Sequence, residues 1–301
     1  MSQPSSHHSA SIPPDIAVVG FGSAGRAFTL ALQQTGHTIS CVCELLDSTG
    51  ASNARADGFP VCDLSSLSPV QPLLVIATPD QSIESVAARV AENPLARIDG
   101  AESPRVALHL SGAHGLSPLK PLAQLGWQTA AFHPIQTFPP GSDASRFNGI
   151  HAGITADDGA LPAMMELARR LGVQPMIVPD ADRARYHLAS VIVSNFLPLL
   201  LDVGVGCLDG IAADRDTAIQ ALLPLMRGML DSLHQHDPAQ AITGPVARHD
   251  LETVATHLET DVDAETKALY RQLTVALVTL AEREGRLTSE QAEEWRGKGQ
   301  L

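Results

Sequence analysis

The sequence has few basic and few aromatic residues. Lys and Arg total 20 against 33 Asp and Glu in 301 residues, which gives a net charge of −13. Proteins that bind nucleic acid cluster Lys and Arg against the phosphates, and no basic cluster occurs here. Aromatic residues make up 4%, too few for base-stacking surfaces. We therefore expect no nucleic-acid partner.

Cysteine is also scarce. Cys41, Cys43, Cys62 and Cys207 show no CxxC spacing, so we predict buried, reduced thiols rather than a metal site or a disulfide framework. The histidines form no HExxH-type pattern, and we predict no metal.

Long apolar runs are missing. Residues 1–13 are polar, lack the apolar core of a signal peptide and are predicted to be a disordered tail. The longest apolar run, near residues 188–201, is interrupted by polar residues and by Pro198. We predict no membrane span and a cytoplasmic protein.

A glycine-rich turn stands between a predicted strand and a predicted helix in DIAVVGFGSAGRAFTLALQQTGH. Gly20 lets the chain turn, Gly22 lets backbone amides approach a pyrophosphate, and Gly25 lets the helix pack against the strand. The helix N-terminus favours phosphate. The pattern predicts dinucleotide binding, and the predicted cofactor-binding residues are Gly20, Phe21, Gly22, Ser23, Ala24, Gly25, Glu44, Thr78 and Asp80.

Two acidic residues of this set have alternative interpretations. Glu44 ends the second predicted strand, where an acidic group can accept hydrogen bonds from the adenosine ribose. Such a group repels a 2′-phosphate, which favours NAD over NADP weakly. Glu44 could equally be a solvated loop carboxylate. Asp47 is the fallback candidate for the residue that accepts hydrogen bonds from the ribose. Asp80 could line the cofactor cleft or cap the helix that follows.

Strands alternate with helices up to residue 180, and only helices are predicted after it. This pattern predicts an α/β protein with an N-terminal, doubly wound, mainly parallel Rossmann sheet over residues 14–180. An all-helical C-terminal domain is expected over residues 181–301. Ligands of such sheets bind beyond the carboxyl ends of the strands. Polar residues follow two strands there, so Ser111, Gln136 and Thr137 are predicted to bind substrate and His133 to act in catalysis.

The segment RYHLASVIVSNFLP predicts a buried helix with polar positions. His187, Ser190 and Ser194 share one face, and Asn195 lies to the other side of His187. A buried polar stripe needs partners, which could be backbone and buried water or a wet cleft. We favour the cleft, with His187 handling a proton. The other three would orient substrate.

A second candidate is ITGPVARHD. Arg248 could hold a substrate carboxylate, and Thr243 offers a hydroxyl. The alternative is an ordinary helix start with a surface arginine.

Together these motifs show a resemblance. VVGFGSAGRA, HLSGAHG, FHPIQTF, HLASVIVSNFL and ITGPVARHD resemble those of Rossmann-like proteins with a DUF2520 C-terminal domain. That group belongs to the superfamily of 6-phosphogluconate dehydrogenase, ketopantoate reductase and pyrroline-5-carboxylate reductase. The resemblance implies an NAD(P)-dependent oxidoreductase with a site between two domains and a homodimer formed through the helical domain. Several relatives carry a catalytic lysine on the first long helix of the second domain, but the lysines here are Lys120, Lys267 and Lys298.

These observations predict an oxidoreductase that transfers a hydride between NAD or NADP and a small polar substrate. The substrate is expected to be a carbonyl or imine that carries a carboxylate. The alternative is a non-catalytic dinucleotide-binding sensor or scaffold.

Overall fold

A computed structural model describes residues 15–67, 72–98 and 105–297. The predicted tail, residues 1–13, lies outside the described residues. The chain forms two compact units, residues 1–194 and 195–301.

The first unit is built on an eight-stranded sheet. Its strands are β1 Asp15–Val19, β2 Thr38–Cys43, β3 Val61–Cys62, β4 Leu73–Ile76, β5 Val106–His109, β6 Gln128–Pro134, β7 His151–Ala156 and β8 Gln174–Ile177. Their order is β3-β2-β1-β4-β5-β6-β7-β8. All neighbours are parallel except β6 and β7. The predicted mainly parallel sheet is confirmed.

Helices pack on both faces of this sheet. The helices of the unit are α1 Ser23–Gln34, α2 Thr49–Ala56, α3 Ile83–Ala91, α4 Lys120–Ala123, α5 Leu161–Arg170 and α6 Arg183–Ser194. Alternate residues of β1 point to opposite faces: Val18 packs in one core with Phe28 of α1, and Val19 in another with Ile83 of α3. Two separate cores on one sheet make the unit doubly wound, as predicted.

The thiol prediction is wrong for one pair. Cys41 and Cys62 form a disulfide with their Cα atoms 6.4 Å apart. The reason is the two-residue strand β3, which pairs in parallel with β2. This pairing places Cys62 opposite Cys43 and so beside Cys41, two residues earlier on the same strand. Such a short strand leaves no signal in the spacing. Cys43, which is buried, and Cys207, which is exposed, are free.

The second unit is helical over its described residues. It contains α7 Leu197–Gly206, α8 Arg215–Gln235, α9 Gly244–Ala247, α10 Leu251–Glu259, α11 Ala264–Arg283 and α12 Ser289–Gly297. Its core includes Val254, Val278, Leu287 and Trp295. The units part at residue 194, whereas the sequence predicted a boundary at 180. The start of α6 belongs to the first unit because Arg183 donates to the carbonyls of Ser111 and His114 in the loop after β5 and of Gly153 in β7.

The prediction of a buried helix around His187 is wrong. Only Arg183 of α6 is buried, while Leu188, Ile192 and Val193 are 55%, 52% and 69% exposed. The helical stretch Asp180–Gly206 is long and apolar enough to cross a membrane, by length and composition alone, and 6% of its most apolar segment is buried. One such helix is weak support for a membrane span.

Candidate active site

The glycine turn joins β1 to α1 as the fingerprint requires. Gly20 has φ +98°, and a Cβ there would lie 2.7 Å from the carbonyl oxygen of Ala77. A Cβ on Gly25 would lie 2.4 Å from the carbonyl oxygen of Gly20. A Cβ on Gly22, by contrast, would meet nothing within 4 Å. The fold therefore requires glycine at positions 20 and 25, whereas Gly22 borders open space.

The helix α1 starts at Ser23 and Ala24. Among the described residues no side chain caps it, and its first turn holds no acidic residue. Backbone N–H groups at such an N-terminus attract phosphate.

Glu44 lies directly against the glycine turn. Its Oε1 accepts the N–H of Phe21 at 2.6 Å, and its Oε2 accepts the hydroxyl of Ser48 at 3.1 Å. Phe21 itself is buried against Phe59. The predicted acidic residue thus stands at the end of β2, fixed by two donors.

Thr78 adds a buried polar atom to this place. Its Oγ1 is buried without a hydrogen-bond partner among the described residues, and its backbone N would be 2.9 Å from a Cβ on Gly20. A buried hydroxyl left unpaired costs about 1–3 kcal/mol. The open turn, the uncapped helix and this hydroxyl fit a dinucleotide, with the pyrophosphate at the turn and Glu44 near a ribose.

Asp80 joins two strand ends rather than capping a helix. Its Oδ2 accepts the hydroxyl of Ser111 at 2.7 Å, and that hydroxyl accepts the N–H of His114 at 3.1 Å. Within the described ranges, no side chain caps α3. The hydroxyl of Ser111, a predicted substrate ligand, is therefore engaged in holding the loop after β5.

His109 braces the same loop. Its Nδ1 accepts the N–H of Ser111 at 3.1 Å, so Nε2 carries the proton and donates to the carbonyl of Gly115 at 2.7 Å. Burial lowers the pKa of His109 to about 4, and the ring is neutral at physiological pH. Both nitrogens are satisfied, which indicates a structural role.

Two histidines predicted to be catalytic, His133 at the end of β6 and His187 of α6, meet beside the loop after β5. The rings of His133 and His187 have centroids 5.6 Å apart and planes at 82°. A Cβ on Gly112 would lie 2.3 Å from Nδ1 of His187 and 2.8 Å from Nε2 of His133. Nδ1 of His187 is buried and has no hydrogen-bond partner among the described residues. We call these two rings the imidazole pair.

His133 is held neutral. Burial, followed by the positive charge of Arg183, lowers its pKa to about 4. Its Nδ1 lies 2.7 Å from the hydroxyl of Tyr186. A neutral imidazole offers one donor and one acceptor, so the direction of this hydrogen bond decides which nitrogen of His133 carries the proton.

Tyr186 and Arg183 were missed by the sequence analysis. Arg183 is 1% exposed and donates to three backbone carbonyls, those of Ser111, His114 and Gly153. The spacing gives a signal in retrospect, because positions 183, 186 and 187 share one helix face. A tyrosine is also rare here, at two in 301 residues.

The other predicted residues make contacts of their own or are exposed. Gln136 and Thr137 bond to each other in an exposed turn after β6. Ser194 donates to the carbonyl of Ser190 within α6, and Asn195 is exposed. In the second unit, the exposed Thr243 and Arg248 flank α9. Over the described ranges, no group of three or more His, Cys, Asp or Glu could hold a metal.

Family models define the class of protein. A Rossmann-like domain matches residues 1–134, and a domain of unknown function, DUF2520, matches residues 150–277. The chain thus carries a Rossmann-like domain and a DUF2520 domain. The resemblance drawn from the motifs is confirmed.

Solved structures share this fold. A candidate NADP oxidoreductase from Bacteroides fragilis matches with a TM-score of 0.72 at 20% identity, over 88% of this chain and 98% of its own. Protein TM1727 from Thermotoga maritima matches at 0.69 and 23% identity, over 90% and 99%. A pyrroline-5-carboxylate reductase from Coxiella burnetii matches at 0.57 and 16% identity, over 95% and 99%. At these identities the likeness concerns the fold.

Proposed function

We propose that this protein is an NAD(P)-dependent oxidoreductase that transfers a hydride between nicotinamide and a small polar carbonyl or imine substrate. The observation that carries the proposal is the open Gly22 turn beside the unpaired hydroxyl of Thr78. His133 lies at the carboxyl end of β6, a strand parallel to β1, β4 and β5, and the ring of His187 contacts it, so the imidazole pair lies at the same edge of the sheet as the glycine turn. The names of two structures with this fold, an NADP oxidoreductase and a pyrroline-5-carboxylate reductase, agree with it.

The protein residues would position the substrate and move one proton. The cofactor supplies the hydride chemistry. Nδ1 of His187, buried without a partner among the described residues, is the group we assign to the proton, with His133 beside it. Arg248 and Thr243 stay predictions for the substrate carboxylate.

Glu44 favours NAD over NADP in this proposal. Its carboxylate is fixed 2.6 Å from the N–H of Phe21, where a 2′-phosphate would meet a like charge. We expect NADH to bind more tightly than NADPH.

The test is a fluorescence titration of the purified protein with NADH and with NADPH. Tight binding of NADH supports the proposal, and preference for NADPH removes the role of Glu44. If neither binds at about millimolar concentration, equivalent to about −4 kcal/mol, the oxidoreductase function is wrong.

The absence of lysine from α6 favours the alternative, a dinucleotide-binding sensor without turnover. His187→Ala separates the two functions. An oxidoreductase should lose turnover and keep its NADH affinity, whereas a sensor would show no turnover to lose with any of the 2-oxo acids and imines offered.

We also propose that the helical unit mediates a homodimer. Leu200 of α7 and Leu225 and Leu230 of α8 are 40%, 72% and 48% exposed and line one groove, and contiguous apolar surface of this kind marks an interface. Light scattering should give twice the 31.7 kDa chain mass, and Leu225→Asp should give a monomer. Detection of a monomeric wild-type protein, or capture of the wild-type protein by lipid vesicles, would refute the homodimer.

A further inference from the structure

We propose that Cys41 and Cys62 are a reversible modification site for dithiol reductants, and that the oxidation state of this pair sets the affinity of the first unit for its dinucleotide. The disulfide form binds the dinucleotide tightly, and the dithiol form binds it weakly. The inference rests on the proposed oxidoreductase function and adds to it a control of cofactor binding by thiol chemistry.

The disulfide anchors a two-residue edge strand. β3 stands at one end of the described sheet, where its neighbour is β2. The N–H of Val42 donates to the carbonyl of Pro60 at 2.8 Å. The N–H of Glu44 donates to the carbonyl of Cys62 at 3.0 Å. Few hydrogen bonds hold so short a strand, which makes it prone to local opening. The covalent bond from Cys62 to Cys41 in β2 opposes that opening.

The segment that contains β3 reaches the glycine turn by two routes. The carbonyl of Cys62 holds the backbone of Glu44, whose carboxylate accepts the N–H of Phe21 at 2.6 Å. The ring of Phe59, three residues before Cys62, packs edge-on against the ring of Phe21 with centroids 5.8 Å apart. Both rings are buried. Separation of β3 from β2 therefore disturbs Glu44 and Phe21, the residues assigned to the ribose and to the turn.

The third cysteine of this region does not compete for the bond. Cys43 lies opposite Cys62 in the pairing of β2 with β3, but it is 2% exposed. Burial raises the pKa of its thiol to about 12. Because the thiolate is the species that attacks a disulfide, Cys43 stays a thiol at neutral pH. Cys41 and Cys62 are each only half-buried, which leaves the pair open to a reductant from solution.

Reduction transfers two electrons to the pair. A thiolate of the reductant attacks one sulfur atom, the S–S bond of the protein breaks, and a mixed disulfide forms. The second thiol of the reductant then displaces the protein sulfur from this mixed disulfide. Cys41 and Cys62 become thiols with one proton each, and the reductant becomes a disulfide. In the cytoplasm predicted from the sequence, disulfides are transient, so dinucleotide affinity would rise as the compartment becomes more oxidising.

The test is a fluorescence titration with NADH of the oxidised protein and of the protein reduced with dithiothreitol. A thiol assay in denaturant should find the free Cys43 and Cys207 before reduction and all four cysteines after it. We expect the Kd for NADH to rise about 10-fold on reduction, because the apparent Kd rises as the fraction of binding-competent protein falls. Reoxidation should restore it.

The titration distinguishes failure of this inference from failure of the proposed function. Equal or tighter binding of NADH by the reduced protein overturns the inference and leaves the oxidoreductase function standing. If neither form binds NADH or NADPH, the oxidoreductase function is refuted, and the inference falls with it.

Two cysteine variants assign the effect to the pair. The double variant Cys41→Ser, Cys62→Ser should bind NADH as the reduced wild type does, with or without dithiothreitol. Cys207→Ser is the matched control, because this free cysteine lies in the second unit, and it should keep the full response. A double variant that still responds to dithiothreitol, or a Cys207→Ser variant that does not, refutes the assignment.

Amide ¹H–¹⁵N NMR spectra separate a local effect from loss of the fold. On reduction, the signals of Phe21 and Glu44 should shift or broaden, because both amides donate hydrogen bonds in the coupled region. The signal of Leu108, buried in β5, should stay in place. Unchanged signals of Phe21 and Glu44 would refute the coupling. Movement of the Leu108 signal to an unfolded position would show that the weaker binding comes from unfolding, which would also overturn the inference.

Discussion

Gly112 lies in contact with the imidazole of His187. A Cβ at Gly112 would come within 2.3 Å of Nδ1 of that ring and within 2.8 Å of Nε2 of His133. Real Cβ atoms do not make such contacts, so any other residue at position 112 must displace one ring or both. The loop after β5 is therefore shaped by the imidazole pair as well as by its own hydrogen bonds.

Gly112→Ala should disable turnover while leaving cofactor binding intact. The added methyl group would displace the imidazole pair, and a misplacement of about 1 Å can cost about 100-fold in rate. Steady-state kinetics and an NADH titration measure the two effects. Gly228→Ala in α8, where a Cβ meets nothing within 4 Å, is the control. Unchanged turnover in Gly112→Ala would show that the pair is not the reacting site.

Gly22→Ala should weaken dinucleotide binding without unfolding the protein. A Cβ there meets no atom within 4 Å, so only a ligand that approaches the turn would be obstructed. We expect the Kd for NADH to rise about 10-fold, which is about 1.4 kcal/mol, with an unchanged thermal midpoint. Gly25→Ala provides the contrast, since its Cβ would collide with the carbonyl of Gly20 and should lower the midpoint itself. Equal affinity in Gly22→Ala and wild type would count against pyrophosphate at this turn.

The sequence predicts the sheet well because its signals are local. Strands such as β1 and β4 are short apolar runs bounded by turn residues, and Gly20, Gly22 and Gly25 stand in fixed order between strand and helix. Burial of α6 was predicted from composition alone and is wrong. Apolar composition shows that a face needs covering, but does not tell whether the same chain covers it.

The site was only partly predictable because its contacts join distant residues. His133 and Tyr186 are 53 positions apart, and neither position alone indicates the hydrogen bond between them. His133 and His187 were predicted from their places at a strand end and on a polar helix face. The disulfide illustrates the same limit, because Cys41 and Cys62 meet through a strand of two residues.

Reduction of the disulfide should destabilise the first unit. Cys41 and Cys62 are 21 positions apart, and closing a loop of that size in the unfolded chain is worth about 3 kcal/mol. Urea unfolding with and without reductant should show this difference in the wild type. A Cys41→Ser, Cys62→Ser double variant should be insensitive to reductant, and Cys207→Ser should behave as the wild type. Equal stability of the oxidised and reduced wild type would contradict the prediction.

Acid should destabilise the protein through His109 and His133. Both have a folded pKa of about 4, below the value of about 6.5 expected in the unfolded chain. The unfolded state therefore binds protons that the folded state does not bind. The free energy of unfolding decreases as pH falls from about 6.5 to about 4. For two buried rings the loss should amount to a few kcal/mol.

Urea midpoints measured at several pH values across this window test the prediction. The loss of stability on acidification should be smaller in His133→Asn, because that variant removes one of the two depressed groups from the linkage. The same substitution at the exposed His234 is the control for a general effect of losing a histidine. If His133→Asn loses as much stability as the wild type between pH 6.5 and 4, then His133 is not held neutral by burial.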